Sequence, residues 1–437
     1  MAKKKQAELT IEEKLQNALV PKEEQPYKIP NNWCWTYVSN VMNIVMGQSP
    51  KGIDTTQNIS DIPLIGGASD MGNLYPIVNK YTKKPTKLSK ENDVILSIRA
   101  TLGRPIFSDG VYCLGRGVAG VSSNYLSKEF IRYYYICFES VLYSNATGTT
   151  FLQVTGSVLN KMLIPLPPIK EQQRIVNRIE SLFTKLDKAK ELIENTLAQF
   201  EQNKMAILHK AFTGELTAKW RKENNIDLSS WKKCELKEVF KVVKDKYNPQ
   251  TENQIVNYIG LENIETSKGI ISKNNSSEVK SIKTKFKKDD VLYGKLRPYL
   301  NKHDVVNFDG ICSTDILVFR FNDINTAKYI NYYFNLPMFI QYAVENSSGI
   351  NLPRVSEKTI SKYKISLPTI EEQQEIVNIL DKLLAKYNKI KNLEQQLEKI
   401  ELLKKAILAK AFRGELGTNN PDEESAEVLL KEILAEK

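Results

Sequence analysis

The chain is written twice, and this constrains its fold more than any other feature. Residues 168–176 read PIKEQQRIV and residues 369–377 read TIEEQQEIV, while 207–216 read ILHKAFTGEL and 407–416 read ILAKAFRGEL. The first pair is offset by 201 residues and the second by 200, so two segments share both ends and differ in length by one residue. Chance similarity does not give matched ends at matched spacing. The region before each segment repeats more faintly. NDVILSIRATLG (92–103) aligns with DDVLYGKLRPYL (289–300), PLIGG (63–67) with NYIGL (257–261), and FLQV (151–154) with LPRV (352–355). Trp33 and Trp231 stand near the two starts. A period this long is not that of a solenoid. It is the duplication of a globular domain followed by a long segment.

Each long segment reads as a helix. No Pro or Gly interrupts Glu171 to Phe212, and Gly214 then supplies a stop. Apolar residues recur every seven positions: Ile179, Leu186, Ile193, Phe200 and Ile207 in the first segment, Ile376, Leu383, Ile390 and Leu397 in the second, with Ile400 and Ile407 on a companion stripe. Heptad spacing requires a partner helix for each stripe, and the simplest partner for one helix is the other. The intervening domain is long enough to allow an antiparallel return. At 1.5 Å per residue, roughly 40 residues give a rod of roughly 60 Å.

Between the helices, segments such as DVILSIR, VLYGKLR and TDILVFRF read as short strands. They are followed by the helical patches SKEFIRYYYICFESV (127–141) and TAKYINYYFNLPMFIQYAV (326–344), whose tyrosines at helical spacing read as core. The expected class is α+β: two mixed domains joined by two long helices in an antiparallel coiled coil, with internal pseudo-two-fold symmetry. The expected boundaries are an N-terminal peripheral segment 1–26, a first domain 27–167, a helix 168–216, a second domain 217–367, a helix 368–416 and a C-terminal tail 417–437.

Catalytic constellations are missing. His209 and His303 are the only histidines, and neither has a Cys or His cluster at metal-ligand spacing. His209 corresponds to Ala409 in the repeat, so it reads as a surface or helix-terminal residue. Asp289-Asp290 reads as a turn before a strand, with Asn92-Asp93 opposite it. No Walker A loop, HExxH, GxSxG or NPPY string occurs. The five cysteines Cys34, Cys113, Cys137, Cys234 and Cys312 form no CxxC pair, which fits a reducing compartment. No apolar run spans a bilayer and the N-terminus is not a signal peptide, so a cytoplasmic location with no membrane contact is expected. A net charge of +11 permits a polyanion partner.

PLPPIKEQQRIVNRI and SLPTIEEQQEIVNIL opening the helices, KAFTGEL and KAFRGEL closing them, and the two-domain, two-helix order carry a resemblance over nearly the full length. The chain resembles the specificity subunit of type I restriction–modification systems, HsdS. The resemblance implies that each globular domain is a target recognition domain reading one half of a split double-stranded DNA site. It implies that the helices are spacers fixing the gap and docking two modification subunits that methylate adenine N6, with restriction subunits added to the complex. It also implies no cofactor in this chain, with S-adenosylmethionine, ATP and Mg²⁺ on partner subunits, and terminal segments that are peripheral.

Elementary DNA geometry agrees. One turn of B-DNA spans about 34–36 Å, so a rod of this length can hold two readers nearly two turns apart. Because the domains differ in sequence, the half-sites should differ, and residues inserted in the rod should change only the gap. Base and phosphate contacts need loop donors and acceptors. The candidates are Gly47, Gln48, Ser49 and Lys51, then Arg99 and Arg104 around a tight turn, then the turn at Ser122, Ser123 and Asn124. In the second domain they are Lys244, Tyr293, Lys295, Arg297, Lys302, Ser347, Ser348, Asn351 and Arg354. The run Lys80, Lys83, Lys84, Lys87 suits phosphate or water. The competing expectations are a non-catalytic coiled-coil scaffold and a DNA-binding regulator acting alone.

Overall fold

The computed structural model describes residues 9–148, 151–252, 254–266, 268–388 and 391–437. The chain divides into two compact units, Met1–Leu192 with Gln395–Lys437, and Ile193–Glu394. Both borders fall within the heptad-patterned segments, so each unit contains a globular body and part of both segments. The first segment is a single helix, Ile169–Phe212, and the second is helical over Ile370–Asn388 and Lys391–Ala411. Just past the helical ends, Gly214 and Gly414 adopt φ of +84° and +73°, the left-handed stop that a Cβ disfavours.

Within the first unit the two helical stretches run antiparallel, with Lys190 Nζ 3.1 Å from Glu401 and Lys404 Nζ 2.5 Å from Asp187. Within the second, Leu208 and Ala211 near the end of one helix share a core with Ile376, Val377 and Leu380 near the start of the other. The heptad stripe is buried unevenly. Ile179, Ile376 and Ile400 are buried, whereas Leu186, Ile193, Phe200, Ile207, Leu383, Leu397 and Ile407 are half-buried. Ile390 lies outside the described residues. Two helices cover only one side of a stripe, and burial is most extensive where the helix ends enter a globular core. There Ile175, Val176, Leu408, Ala411 and Phe412 become buried in the first unit.

The two globular bodies repeat one four-stranded sheet order and one parallel strand pair. In the first, a four-stranded antiparallel sheet has the order 43–46, 118–122, 94–99, 101–107. In the second, the order is 240–242, 316–321, 291–294, 303–305. Beside each lies a second sheet, of four strands in the first body and five in the second, with one parallel pair, Leu64–Ile65 on Cys113–Leu114 and Tyr258–Ile259 on Ile311–Cys312. Central strands such as Val94–Arg99 are buried almost throughout because a sheet lies on one face and helices on the other. Tyr133, Tyr134, Tyr135 and Tyr329 are core residues, as helical spacing predicts. The Asn92-Asp93 and Asp289-Asp290 pairs are turns. Asp93 accepts from Lys90 N and Asp290 from Lys287 N, and Asp290 also holds Arg320 in a bidentate pair.

The EQQ motif is a structural lock. Glu171 is fully buried and accepts from Trp33 Nε1 (2.7 Å), Asn419 Nδ2 (2.9 Å) and Thr418 Oγ1 (3.2 Å). Its duplicate Glu372 accepts from Trp231 Nε1 (2.8 Å), Thr217 Oγ1 (2.6 Å) and Arg221 (2.5 Å). Gln172 and Gln373 each donate to the carbonyl of the proline five residues before them, Pro167 and Pro368. A buried carboxylate is tolerated only with such partners. Each motif therefore ties the entrance of its body to the base of one helix and the exit of the other. In the first unit the terminal helices Ile11–Ala18 and Ala426–Ala435 pack on each other, with Glu12 2.7 Å from Lys431.

Candidate nucleic-acid interface

One end of each four-stranded sheet gathers the same loops by the same backbone bonds. In the first body, Ile98 N donates to Gly117 O (3.0 Å), Ala100 N to Leu152 O (2.8 Å) and Val154 N to Ile98 O (2.9 Å). In the second, Lys295 N donates to Asp315 O (2.9 Å), Arg297 N to Pro353 O (2.7 Å) and Val355 N to Lys295 O (3.0 Å). A loop closed by reciprocal bonds between Thr147 and Gln153 matches one closed between Ser348 and Arg354. Both loops begin at a glycine in the left-handed region, Gly148 at +106° and Gly349 at +98°. A Cβ on Gly148 would lie 2.3 Å from Phe151 O, and one on Gly349 3.0 Å from Leu352 O. The glycines thus permit a loop that folds back onto its own tip.

The side chains at this end include many polar and basic groups. Gln48, Ser49 and Lys51 are exposed, and the loop is fixed because Ser49 Oγ accepts from Arg116 N at 3.1 Å. Gly47 is required there, since a Cβ would lie 2.1 Å from Gly115 O. Arg99 is half-buried opposite Gln153, and Arg116 is exposed between Gly115 and Gly117. Lys80, Lys83, Lys84 and Lys87 are exposed, and Thr86 between them bonds Gln48 O, which brings the basic run alongside the 47–51 loop. In the second body Lys295 lies 4.0 Å from Asp315, Arg354 bonds the same carboxylate at 3.2 Å, and Arg297 is exposed at φ +53°. Ser348 and Asn351 are exposed on the adjoining loop.

The profile of the type I restriction–modification DNA specificity domain matches this chain twice, over residues 30–199 and 229–402. The chain belongs to that family. It is 25% identical to the EcoKI specificity subunit of Escherichia coli strain K12, with 94% of this chain and 96% of that subunit covered. It is 28% identical to the EcoDI specificity subunit of Escherichia coli over 67% of this chain and 73% of that one. Its fold matches that of the HsdS subunit of Thermoanaerobacter tengcongensis, at a TM-score of 0.55 and 20% identity, over 90% of this chain and 99% of that one. It matches more closely a chain solved in work on complex assembly and conformational transition of the type I R-M system, at a TM-score of 0.69 and 20% identity, over 89% of this chain and all of the other.

Within this specificity-domain fold several residues expected at the interface stand elsewhere. Tyr293 is fully buried, its ring 5.2 Å from Phe334 and 6.0 Å from Phe339, because strand alternation turns it inward. Ser122 pairs with Asn43 at the opposite end of the sheet from Gly47. Ser123 there donates to Val41 O and accepts from Tyr125 N and Leu126 N, which makes it a turn former, and Asn124 is exposed beside it. Arg104 spends its guanidinium on the carbonyls of Ala68 and Met71, and Lys302 its amine on Leu261 O. Ser347 donates to Val344 O at a helix end. Lys244 is exposed and pairs with Glu357 at 2.8 Å.

Sequence reasoning missed Arg116, Gln153 and Asp315. The signal for Gln153 was available: TGTTFLQV (147–154) and SGINLPRV (348–355) have equal length and both carry glycine second. Arg116 and Asp315 lie in turns whose sequences, GRG and STD, share nothing.

Among the described residues no three His, Cys, Asp or Glu side chains are grouped to hold a metal. His209 is exposed. His303 is buried between Asn331 Oδ1 (2.7 Å) and Asn301 Nδ2 (3.1 Å), and burial pushes its pKa down to about 4, so the imidazole is neutral. All five cysteines are free, and burial pushes the Cys34 and Cys312 thiols up to about 12. No described helix is long and apolar enough to cross a membrane.

Proposed function

We propose that this specificity subunit reads an asymmetric, bipartite double-stranded DNA site and docks modification subunits that methylate adenine N6, with restriction subunits joining the complex. S-adenosylmethionine, ATP and Mg²⁺ belong to those partners. The chain itself contributes recognition and spacing in the cytoplasm, without catalysis. One observation carries the reading: the same backbone scaffold presents different side chains in the two bodies. Gln48 corresponds in strand register to Lys246, Arg99 to Leu296, Arg116 to Thr314 and Gln153 to Arg354. A common scaffold with unlike donors and acceptors is what two unlike half-sites require, since base edges are told apart by donor–acceptor pattern. The exposed lysines beside the 47–51 loop supply the sequence-independent phosphate attraction.

The test is co-expression with the adjacent modification gene, followed by footprinting. A complex that protects two separated DNA segments, with affinity falling steeply as salt rises, supports the reading. A folded chain that neither associates with the modification subunit nor protects DNA would contradict it.

A further inference from the structure

Solitary exposed apolar side chains are ordinary, but two here stand at equivalent places on equivalent loops. Phe151 is 68% exposed and Leu352 44% exposed, and each is the residue just before the carbonyl that anchors its loop to the sheet end. Ile350, one residue past Gly349, is fully exposed. The reciprocal bonds close the base, and the left-handed glycine backs onto the tip residue's own carbonyl. Cations flank both tips: Arg99 is paired with Gln153 beside Phe151, and Arg297 and Arg354 adjoin Leu352.

We propose that these tips are apolar wedges that enter the DNA base stack, Phe151 at the first half-site and Ile350 with Leu352 at the second. The inference rests on the DNA-reading function proposed above and adds the residues that deform the duplex. An apolar tip between cations is the chemistry of proteins that unstack a base step while holding the adjoining phosphates. The wedge also suits a complex whose partner must extract adenine from the stack, because a step already parted lowers the cost of extrusion.

The experiment uses the full chain assembled with its modification subunit and duplexes carrying 2-aminopurine at successive non-target steps of each half-site. With the wild type, fluorescence rises at one step in each half-site on binding. Phe151→Ser abolishes the rise in the first half-site only and weakens binding about tenfold, within the range for loss of one stacked base contact. Phe151→Leu retains most of the signal. The double substitution Ile350→Ser with Leu352→Ser does the same at the second half-site. Unchanged thermal unfolding shows that the surface variants are folded. Full fluorescence enhancement in both serine variants would overturn the wedge while leaving DNA reading intact. Loss of the modification subunit with DNA unstacking unchanged would overturn it in favour of a protein contact. A wild-type complex that binds no bipartite duplex would overturn both the wedge and the function beneath it.

Discussion

The duplicated lock allows a comparison inside one chain. Glu372 and Glu171 are both fully buried and both accept from a tryptophan and a threonine. They differ in the remaining partner, which is Arg221, 91% buried, for Glu372 and the neutral Asn419 for Glu171. Glu372→Gln keeps the shape and one acceptor but leaves a buried guanidinium without its counter-charge, and breaking such a pair costs about 3–5 kcal/mol. Because Arg221 still donates to Gly214 O at 2.6 Å, the lower end, about 3 kcal/mol, is expected. Glu171→Gln strands no cation and removes a buried charge, so weakening its hydrogen bonds should cost about 1 kcal/mol. The difference of about 2 kcal/mol is measured by native-state hydrogen exchange, which reports each unit separately in a chain too large for two-state analysis. Exchange should accelerate around 217–221 and 231 in Glu372→Gln, and far less around Trp33 in Glu171→Gln. Equal effects, or a larger loss at Glu171, would refute the argument that the arginine sets the cost.

Three other outcomes follow from the geometry. His303 is neutral when folded, with its pKa pushed down to about 4 from 6.5. Below pH 6.5 the unfolded chain therefore takes up a proton that the folded one refuses. Stability of the second unit falls by about 1.4 kcal/mol per pH unit between 6.5 and 4, and His303→Gln should flatten urea midpoints measured across that window. Gly47→Ala places a methyl 2.1 Å from Gly115 O and 2.6 Å from Val118 O, so the 47–51 loop must move. It should destabilise the first body by about 1–3 kcal/mol and relax recognition of one half-site only, read by methylation of mismatched duplexes. Substituting Tyr293 by Phe removes a buried hydroxyl that has no partner, so thermal stability should hold or rise slightly and DNA recognition should stay unchanged.

The duplicated strings, the heptads and the strand–helix order were all readable in the sequence because they are local and periodic. The unequal burial along Leu186, Ile193 and Phe200 was not, because a heptad does not say how many helices enclose it. The function of EQQ was hidden for a similar reason: Glu171 meets Trp33 and Thr418, separated from it by 138 and 247 residues. At the interface, Tyr293 and Lys295 looked equally available, and only the sheet's register shows that Tyr293 turns inward and that Ser122 lies at the far end. Arg104 and Lys302 looked available because carbonyl partners leave no mark in sequence.

The central claim is that one chain specifies two unlike half-sites at a fixed separation. Mapping genomic N6-methyladenine with this gene present and with it deleted tests that claim most directly. The account predicts loss of a single motif made of two different short sequences around an unspecified gap of constant length. A motif that is lost but palindromic, or has a variable gap, would contradict it, as would an unchanged methylation map in cells where the modification subunit is expressed and bound to this chain.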